Sequence, residues 1–268
     1  MAFLFMSDQP PSSLARASAP ALVASLSVVF PAFNEEYNIQ TTIENARRVL
    51  PKIAREWEII VVNDGSADET NRLCDELAAR FPEVRALHHL VNRGYGAALK
   101  TGISAARHGL VFFSDSDGQF DLHELQELVA WSEQFDIVAG YRGKRSDPWH
   151  RSLNAWGWNV LVRALLGLRV RDIDCAFKLF RRAVFERIQI RSVGAMVNTE
   201  ILAQAVHFGM KIREVEVSHY PRAHGKPTGA KLRVILKAFR ELFRLWWKLR
   251  KIDHDQQGLF SRGATAKA

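Results

Sequence analysis

The feature that most limits what this chain can become is an alternation repeated between Leu26 and Ala139. Short apolar, β-branched runs (Leu26–Phe30, Glu58–Val62, Val84–His88, Leu110–Ser114 and Ile137–Ala139) are each closed by polar residues. Between them lie stretches with helical spacing: Glu36–Leu50, Ser66 to about Arg80, Gly96–Arg107 and Leu122–Gln134. Ser66 and Glu69 have the separation of a capping box at the start of the second of these. Strands that alternate with helices predict an α/β fold, a mostly parallel sheet flanked by helices on both faces. In such sheets ligands bind beyond the carboxyl ends of the strands. The polar residues that close each apolar run are therefore the first candidates for function.

The second half is less regular. Trp149–Leu166 and Thr199–His207 read as helices, Phe177–Phe180 and Lys211–Ser218 as strands, and Ala230–Lys251 as a last helix. The expected organisation is a disordered tail over 1–24, one domain over 25–228, an amphipathic helix over 229–252 and a flexible tail over 253–268. A hydrophobic content of 47% with 25% charged residues excludes a disordered protein and a coiled coil. No run reaches the roughly 18–20 apolar residues of a membrane span. The apolar start, Met1–Met6, lacks the basic flank of a secretory signal. Two cysteines, Cys74 and Cys175, cannot build a disulfide framework and suit a reducing, cytoplasmic compartment.

The net charge of +8 is local. Ten Lys or Arg residues lie between Arg222 and Lys251 against one acid, Glu241. Arg233, Lys237, Arg240, Arg244, Lys248 and Lys251 fall on one stripe of a helix, opposite Leu, Phe and Trp side chains. That pattern suits a helix lying in the headgroup region of an anionic bilayer through residues 230–251. The competing reading packs the apolar face on the domain and leaves the charges in water. A nucleic acid is not expected as a partner.

Asp115-Ser116-Asp117 directly follows the apolar run Leu110–Ser114. In extended chain, residues i and i+2 share a face, so both carboxylates can face one pocket while Ser116 faces elsewhere. Two such carboxylates suit Mg²⁺ or Mn²⁺, with Gln119 on the same parity as a neutral oxygen. A solvated acidic turn is the alternative. Asn63-Asp64-Gly65-Ser66, after Glu58–Val62, is a second acidic strand end, or else an Asx turn. Pro31, Ala32, Asn34 and Glu35 close a third. Asn92-Arg93-Gly94-Tyr95-Gly96 offers backbone N–H groups to a phosphate, or tight helix–sheet packing. Cys175 reads as a packed apolar residue, and no histidine is read at a strand-end motif.

In this order and spacing, SVVFPAFNEE, IIVVNDGSADET, VNRGYGAALKTGI and FFSDSDGQF resemble the inverting glycosyltransferases of family 2, which have the GT-A fold. They most resemble the polyprenyl-phosphate sugar transferases. The resemblance spans about residues 25–228. It implies that Pro31, Ala32, Glu35 and Asp64 contact the nucleotide base and ribose, and that Asp115, Asp117 and Gln119 bind metal and diphosphate. It places acceptor-phosphate contacts at Arg142, Arg151, Lys178 and Arg222, and an acid near the sugar at Asp172, with Asp174 its neighbour. The implied substrates are a nucleotide-diphosphate sugar and a polyprenyl phosphate, at the cytoplasmic membrane face. Peripheral docking or a separate membrane subunit would bring the chain to the lipid.

The expected catalytic group is the pair Asp115 and Asp117, with Asp172 beside the sugar. An acceptor phosphate is already ionised near neutral pH, so positioning and charge neutralisation would carry the rate. A hydroxyl acceptor would instead require a carboxylate base at Asp172 or Asp174. A membrane subunit that binds the nucleotide sugar without catalysis is the remaining alternative.

Overall fold

The structure, a computed structural model, describes residues 22–143, 160–222, 240–247 and 249–250. Seven strands form one sheet: β1 (Val23–Ala32), β2 (Ala54–Asn63), β3 (Val84–His88), β4 (Leu110–Ser114), β5 (Ile137–Arg142), β6 (Phe177–Arg181) and β7 (Ile212–Val217). Their spatial order is β3-β2-β1-β4-β6-β5-β7. β6 runs antiparallel to β4 and β5, and every other pairing is parallel. The expected mostly parallel sheet is present.

The helices are α1 (Ile39–Val49), α2 (Thr70–Arg80), α3 (Tyr95–Ala105), α4 (Leu125–Val129), α5 (160–166), α6 (Val184–Arg187), α7 (Val197–His207) and α8 (240–247 and 249–250). Both faces of the middle of the sheet are buried, so β4 and the C-terminal parts of β1 and β2 are apolar on both sides, while the edge strands β3 and β7 carry charged residues. Val28, Phe30, Ile59, Val61 and Phe112 join one core with Ile39, Ile43, Ala46 and Val49 of α1 and Cys74 and Leu77 of α2. Val29, Ile60, Val62, Val111 and Phe113 join the other with Leu99 and Ile103 of α3 and Ile201 and Leu202 of α7. The 3–4 residue spacing of the α1 residues gives one helix stripe, and the alternation along the strands splits them between two cores. Burial of each such aliphatic or aromatic side chain contributes about 1.5–3 kcal/mol.

α3 lies unusually close to the sheet. A Cβ on Gly102 would stand 2.3 Å from Val29 Cγ1, so the small residues of this helix serve close packing.

Several local expectations are corrected. The helix after β2 begins at Thr70 with Glu69 at its N-cap and no side-chain cap bond. The Ser66 hydroxyl instead accepts from the Asn34 N–H at 2.9 Å, tying two strand ends together. The Leu122–Gln134 stretch is a 3-10 turn, Leu122–Glu124, followed by the short α4. α8 buries Leu242, Leu245 and Leu249 in the α3/α7 core, so part of the apolar face read as membrane-facing packs on the domain. Phe243 and Trp247 of the same helix are exposed. Among the described residues no helix is long and apolar enough to cross a membrane. Val23 and Ala24, read as the end of the N-terminal tail, begin β1, while residues 1–21, the C-terminal tail, the helix start at 149–159 and the basic segment at 230–239 lie outside the described residues.

Candidate active site

The carboxyl ends of β1, β2 and β4 lie side by side and supply the site. β4 is an apolar run, Leu-Val-Phe-Phe, that cannot accommodate charge, so the chain leaves the sheet where Asp115 and Asp117 begin. Ser116, between them, is turned the other way. Its hydroxyl donates to the Pro31 carbonyl at 2.8 Å, and its own carbonyl accepts from Thr42 Oγ1 at 3.0 Å. Anchoring Ser116 to β1 and α1 leaves Asp115 and Asp117 on the wall of one cavity of about 420 Å³, which Ser114, Asn38 and Tyr37 also line. The i+2 parity read from the sequence is the arrangement found.

Burial, and then the charge of Asp117, push the Asp115 carboxyl up to about 7 from its ordinary 3.8. Burial also raises Asp117. A carboxylate pair that resists full ionisation is short of positive charge. A cation close at hand is Arg222, whose guanidinium pairs with Glu35 and reaches Asp117 Oδ2 at 3.9 Å. Arg222 is brought there by a short antiparallel clip. Phe120 pairs with His219, and the Tyr220 N–H donates to the Gln119 carbonyl at 2.8 Å.

Because the folded state holds the Asp115 proton more tightly than the unfolded chain, metal-free stability from this group is full below about pH 4. It is lost as pH rises through about 7. The melting temperature of chelator-treated protein is therefore expected to fall more between pH 5 and 8 than that of Asp115→Asn. Equal slopes for the two proteins would remove the proposed proton from Asp115.

Asp64 stands at the neighbouring strand end, buried, with its N–H donating to the Ala32 carbonyl at 2.8 Å. Its carboxylate accepts from the N–H groups of Arg93 at 2.9 Å and Gly94 at 2.7 Å, and lies 2.6 Å from His89 Nδ1. The backbone donors read as phosphate ligands are thus engaged by Asp64. His89 was invisible as a site residue, and it does stand at a strand end, that of β3; only the fold brings it to Asp64. Asn38 is a second addition, donating to Glu35 Oε2 at 2.7 Å.

Other candidates are placed differently from their reading. Gln119 Nε2 donates to the Tyr220 carbonyl at 2.8 Å, so this side chain fastens the Arg222 clip. Among the described residues no three His, Cys, Asp or Glu side chains gather into a metal set. Lys178 is 0% exposed, and its ammonium donates to the carbonyls of Ile173, at 3.0 Å, and Cys175. Burial lowers its pKa. A group so enclosed holds the 173–175 turn and does not present itself to an acceptor phosphate. Arg142 makes a two-point pair with Asp172, at 2.7 and 2.9 Å, and Asp172 is buried. Asp174 is exposed, and Arg151 lies outside the described residues. Cys175 is buried with its thiol pushed up to about 12, an unreactive packed residue as read.

Known proteins resemble this chain in sequence and in fold. Glycosyltransferase AglD of Haloferax volcanii is 33% identical over 251 residues, a match to 89% of this chain and 40% of AglD. The undecaprenyl-phosphate 4-deoxy-4-formamido-L-arabinose transferase of Pectobacterium atrosepticum is 32% identical over 216 residues, 80% of this chain and 65% of that protein. The chain thus spans less than two thirds of either relative's length. Among solved structures, glucosyl-3-phosphoglycerate synthase from Mycobacterium tuberculosis, in complex with Mn²⁺, UDP and glucosyl-3-phosphoglycerate, has a TM-score of 0.63 at 22% identity. That match covers 84% of this chain and 80% of the other, a likeness of fold. The family described as glycosyl transferase family 2 matches residues 27–189, which run from within β1 through β6 and include Asp115 and Asp117. With more than half of its length in that match, the chain belongs to glycosyl transferase family 2.

Proposed function

We propose that the chain moves a sugar from a nucleotide-diphosphate sugar to a polyprenyl phosphate at a membrane surface. The observation that carries this reading is the pair Asp115 and Asp117 on one cavity wall, with the Arg222 guanidinium 3.9 Å from Asp117 Oδ2. The Pectobacterium atrosepticum relative is named for transfer involving undecaprenyl phosphate, and the Mycobacterium tuberculosis fold relative holds Mn²⁺ with UDP.

The residues fit a divalent cation, Mg²⁺ or Mn²⁺. Two carboxylates are enough where substrate phosphates complete the shell. The buried Ser114 hydroxyl on the same wall has no hydrogen-bond partner, as expected of a site shaped for a further polar group. Bound there, the cation would neutralise charge on the departing diphosphate. Asp115 and Asp117 would hold it. Pro31, Ala32, Glu35 and Asp64 would face the nucleoside, with Asp64 keeping the 89–94 loop in place. Arg222, drawn away from Glu35 and Asp117, would hold the acceptor phosphate, with Arg151 a further candidate. No strong base is required of a phosphate nucleophile. With Asp172 committed to Arg142, a hydroxyl acceptor would have to rely on the exposed Asp174 as its base.

α8 suits a bilayer contact. Arg240, Phe243, Arg244 and Trp247 are exposed at the spacing of one helix face, while the leucines point inward.

The test is a screen of radiolabelled UDP- and GDP-sugars with Mg²⁺ or Mn²⁺ and a short-chain polyprenyl phosphate, scored as extracted labelled lipid. One donor is expected to give metal-dependent label that Arg222→Ala abolishes without loss of donor binding. With acceptor embedded in anionic vesicles, Phe243→Ser/Trp247→Ser is expected to lower the rate severalfold, and with detergent-dispersed acceptor to leave it unchanged. Label on a hydroxyl acceptor and none on the lipid phosphate would contradict the acceptor assignment. Equal vesicle rates would contradict the α8 contact.

A further inference from the structure

A second cavity, of about 480 Å³, shares no lining residue with the first. It lies between α3, β3 and the segment before α7, and it carries Arg93, Lys100 and Arg191 together with Thr101, Ser104 and Ser192. Among the described residues the rest of its lining is Leu, Ala and Val, and no acidic side chain borders it.

Arg93, Lys100 and Arg191 are exposed to solvent, and three like charges lining one cavity make an anion its favoured guest. Among the described residues no carboxylate pairs with Arg93, Lys100 or Arg191. The acid of this region, Glu200, is 4% exposed and is used by the backbone, accepting from the N–H groups of Arg191 and Ser192 at 2.8 Å each. The Arg191 guanidinium has a neutral partner, Gln189 Oε1, at 2.9 Å. The positive charge is therefore not spent on an internal pair.

The wall is also rigid. The Gly96 N–H donates to the Val193 carbonyl at 3.0 Å, joining the α3 start to the 191–193 segment. Gly94 has φ of +101°, and a Cβ there would stand 2.3 Å from the Val193 oxygen. The glycine-rich loop thus builds this seam, which any side chain at 94 would force apart.

The geometry points to this cavity as a binding site for a phosphate monoester carried on a short carbon backbone. The guanidinium and ammonium groups and the hydroxyls match the phosphate oxygens, and the aliphatic lining matches the attached carbon. A lipid headgroup and a soluble phosphorylated metabolite both have this chemistry. Thr101, on the cavity wall, lies 2.9 Å by its Oγ1 from His89 Nε2, so the His89 ring reports occupancy.

Full-length protein with ¹⁵N-labelled histidine is titrated with glycerol 3-phosphate, and separately, in a Phe243→Ser/Trp247→Ser background that removes the α8 contact, mixed with phosphatidic acid vesicles and floated, without metal, donor or acceptor. Saturable movement of the His89 resonances, weakened about tenfold in Lys100→Glu and in Arg191→Glu as for loss of one charge-assisted hydrogen bond, is expected for a soluble ligand. Flotation lost in both variants, with no response to glycerol 3-phosphate, assigns the same site to a lipid headgroup. Lys100→Arg is expected to retain binding, which separates loss of the site from loss of the fold. No binding in either arm, or binding unchanged in both charge reversals, would overturn the site. Because neither donor nor acceptor is present, that failure is distinct from failure of sugar transfer.

Discussion

Asp117→Ala is expected to lower kcat/KM for sugar transfer by about 10³-fold, the scale lost when one preorganised electrostatic contact to developing charge is removed. The expectation follows from what Asp117 does and does not touch. It accepts one hydrogen bond, from the Gln119 N–H at 3.1 Å, and faces Arg222 at 3.9 Å. Neither contact ties elements of the core, so the variant is expected to fold. Asp117→Asn keeps an oxygen for the Gln119 N–H and removes the charge. It should be nearly as damaged if charge is what counts. Ser116→Ala supplies the contrast, because it loses a bond to the Pro31 carbonyl worth about 1 kcal/mol and touches no reacting group. Its activity should stay within a few-fold of the parent. Steady-state kinetics on the three variants decide the matter, and an Asp117→Ala enzyme within tenfold of the parent would exclude this carboxylate from the reaction.

Arg142→Ala should destabilise the fold by about 3–5 kcal/mol, the usual result of leaving one member of a buried ion pair alone. The Asp172 side chain is 6% exposed and that of Arg142 20% exposed, and the two meet through two parallel hydrogen bonds. Arg142 is held above its ordinary pKa by that carboxylate against the opposing effect of burial. Removing the guanidinium strands a buried negative charge beside β5. Removing both partners, as Arg142→Ala/Asp172→Ala, should recover part of the loss. Urea unfolding of the two variants measures this directly. Unchanged stability, with only a raised KM for the acceptor, would return Arg142 to the acceptor-contact role that the resemblance implied.

The contrast between these residues shows what the chain discloses about itself. β3 and β4 have the bounds read from the sequence, and for β4 the reason is plain, because a strand buried on both faces is a continuous apolar run. β2 begins earlier than read, since its first residues, Ala54 to Trp57, include exposed polar side chains that interrupt the apolar signal. The acids at Asp115 and Asp117 were legible for the same local reason: parity along an extended chain needs no knowledge of distant partners. Pairings across the fold were not. Arg142 finds Asp172, His89 finds Asp64, and the Lys178 ammonium turns into the protein, each through chain brought together by the sheet order. Ser66 and Glu69 had the spacing of a capping box, yet the Asn34 N–H, 32 residues away in sequence, claims the Ser66 hydroxyl.

Manganese paramagnetic resonance addresses the two carboxylates most directly. Mn²⁺ is titrated into the full chain with and without UDP or GDP, and the bound ion is read from loss of the free-ion spectrum. Tight uptake is expected only with a nucleoside diphosphate present, and is expected to disappear in Asp115→Asn/Asp117→Asn. Undiminished Mn²⁺ uptake in that double variant, or none in the parent protein with either nucleotide, would contradict a cation held between these acids and the diphosphate.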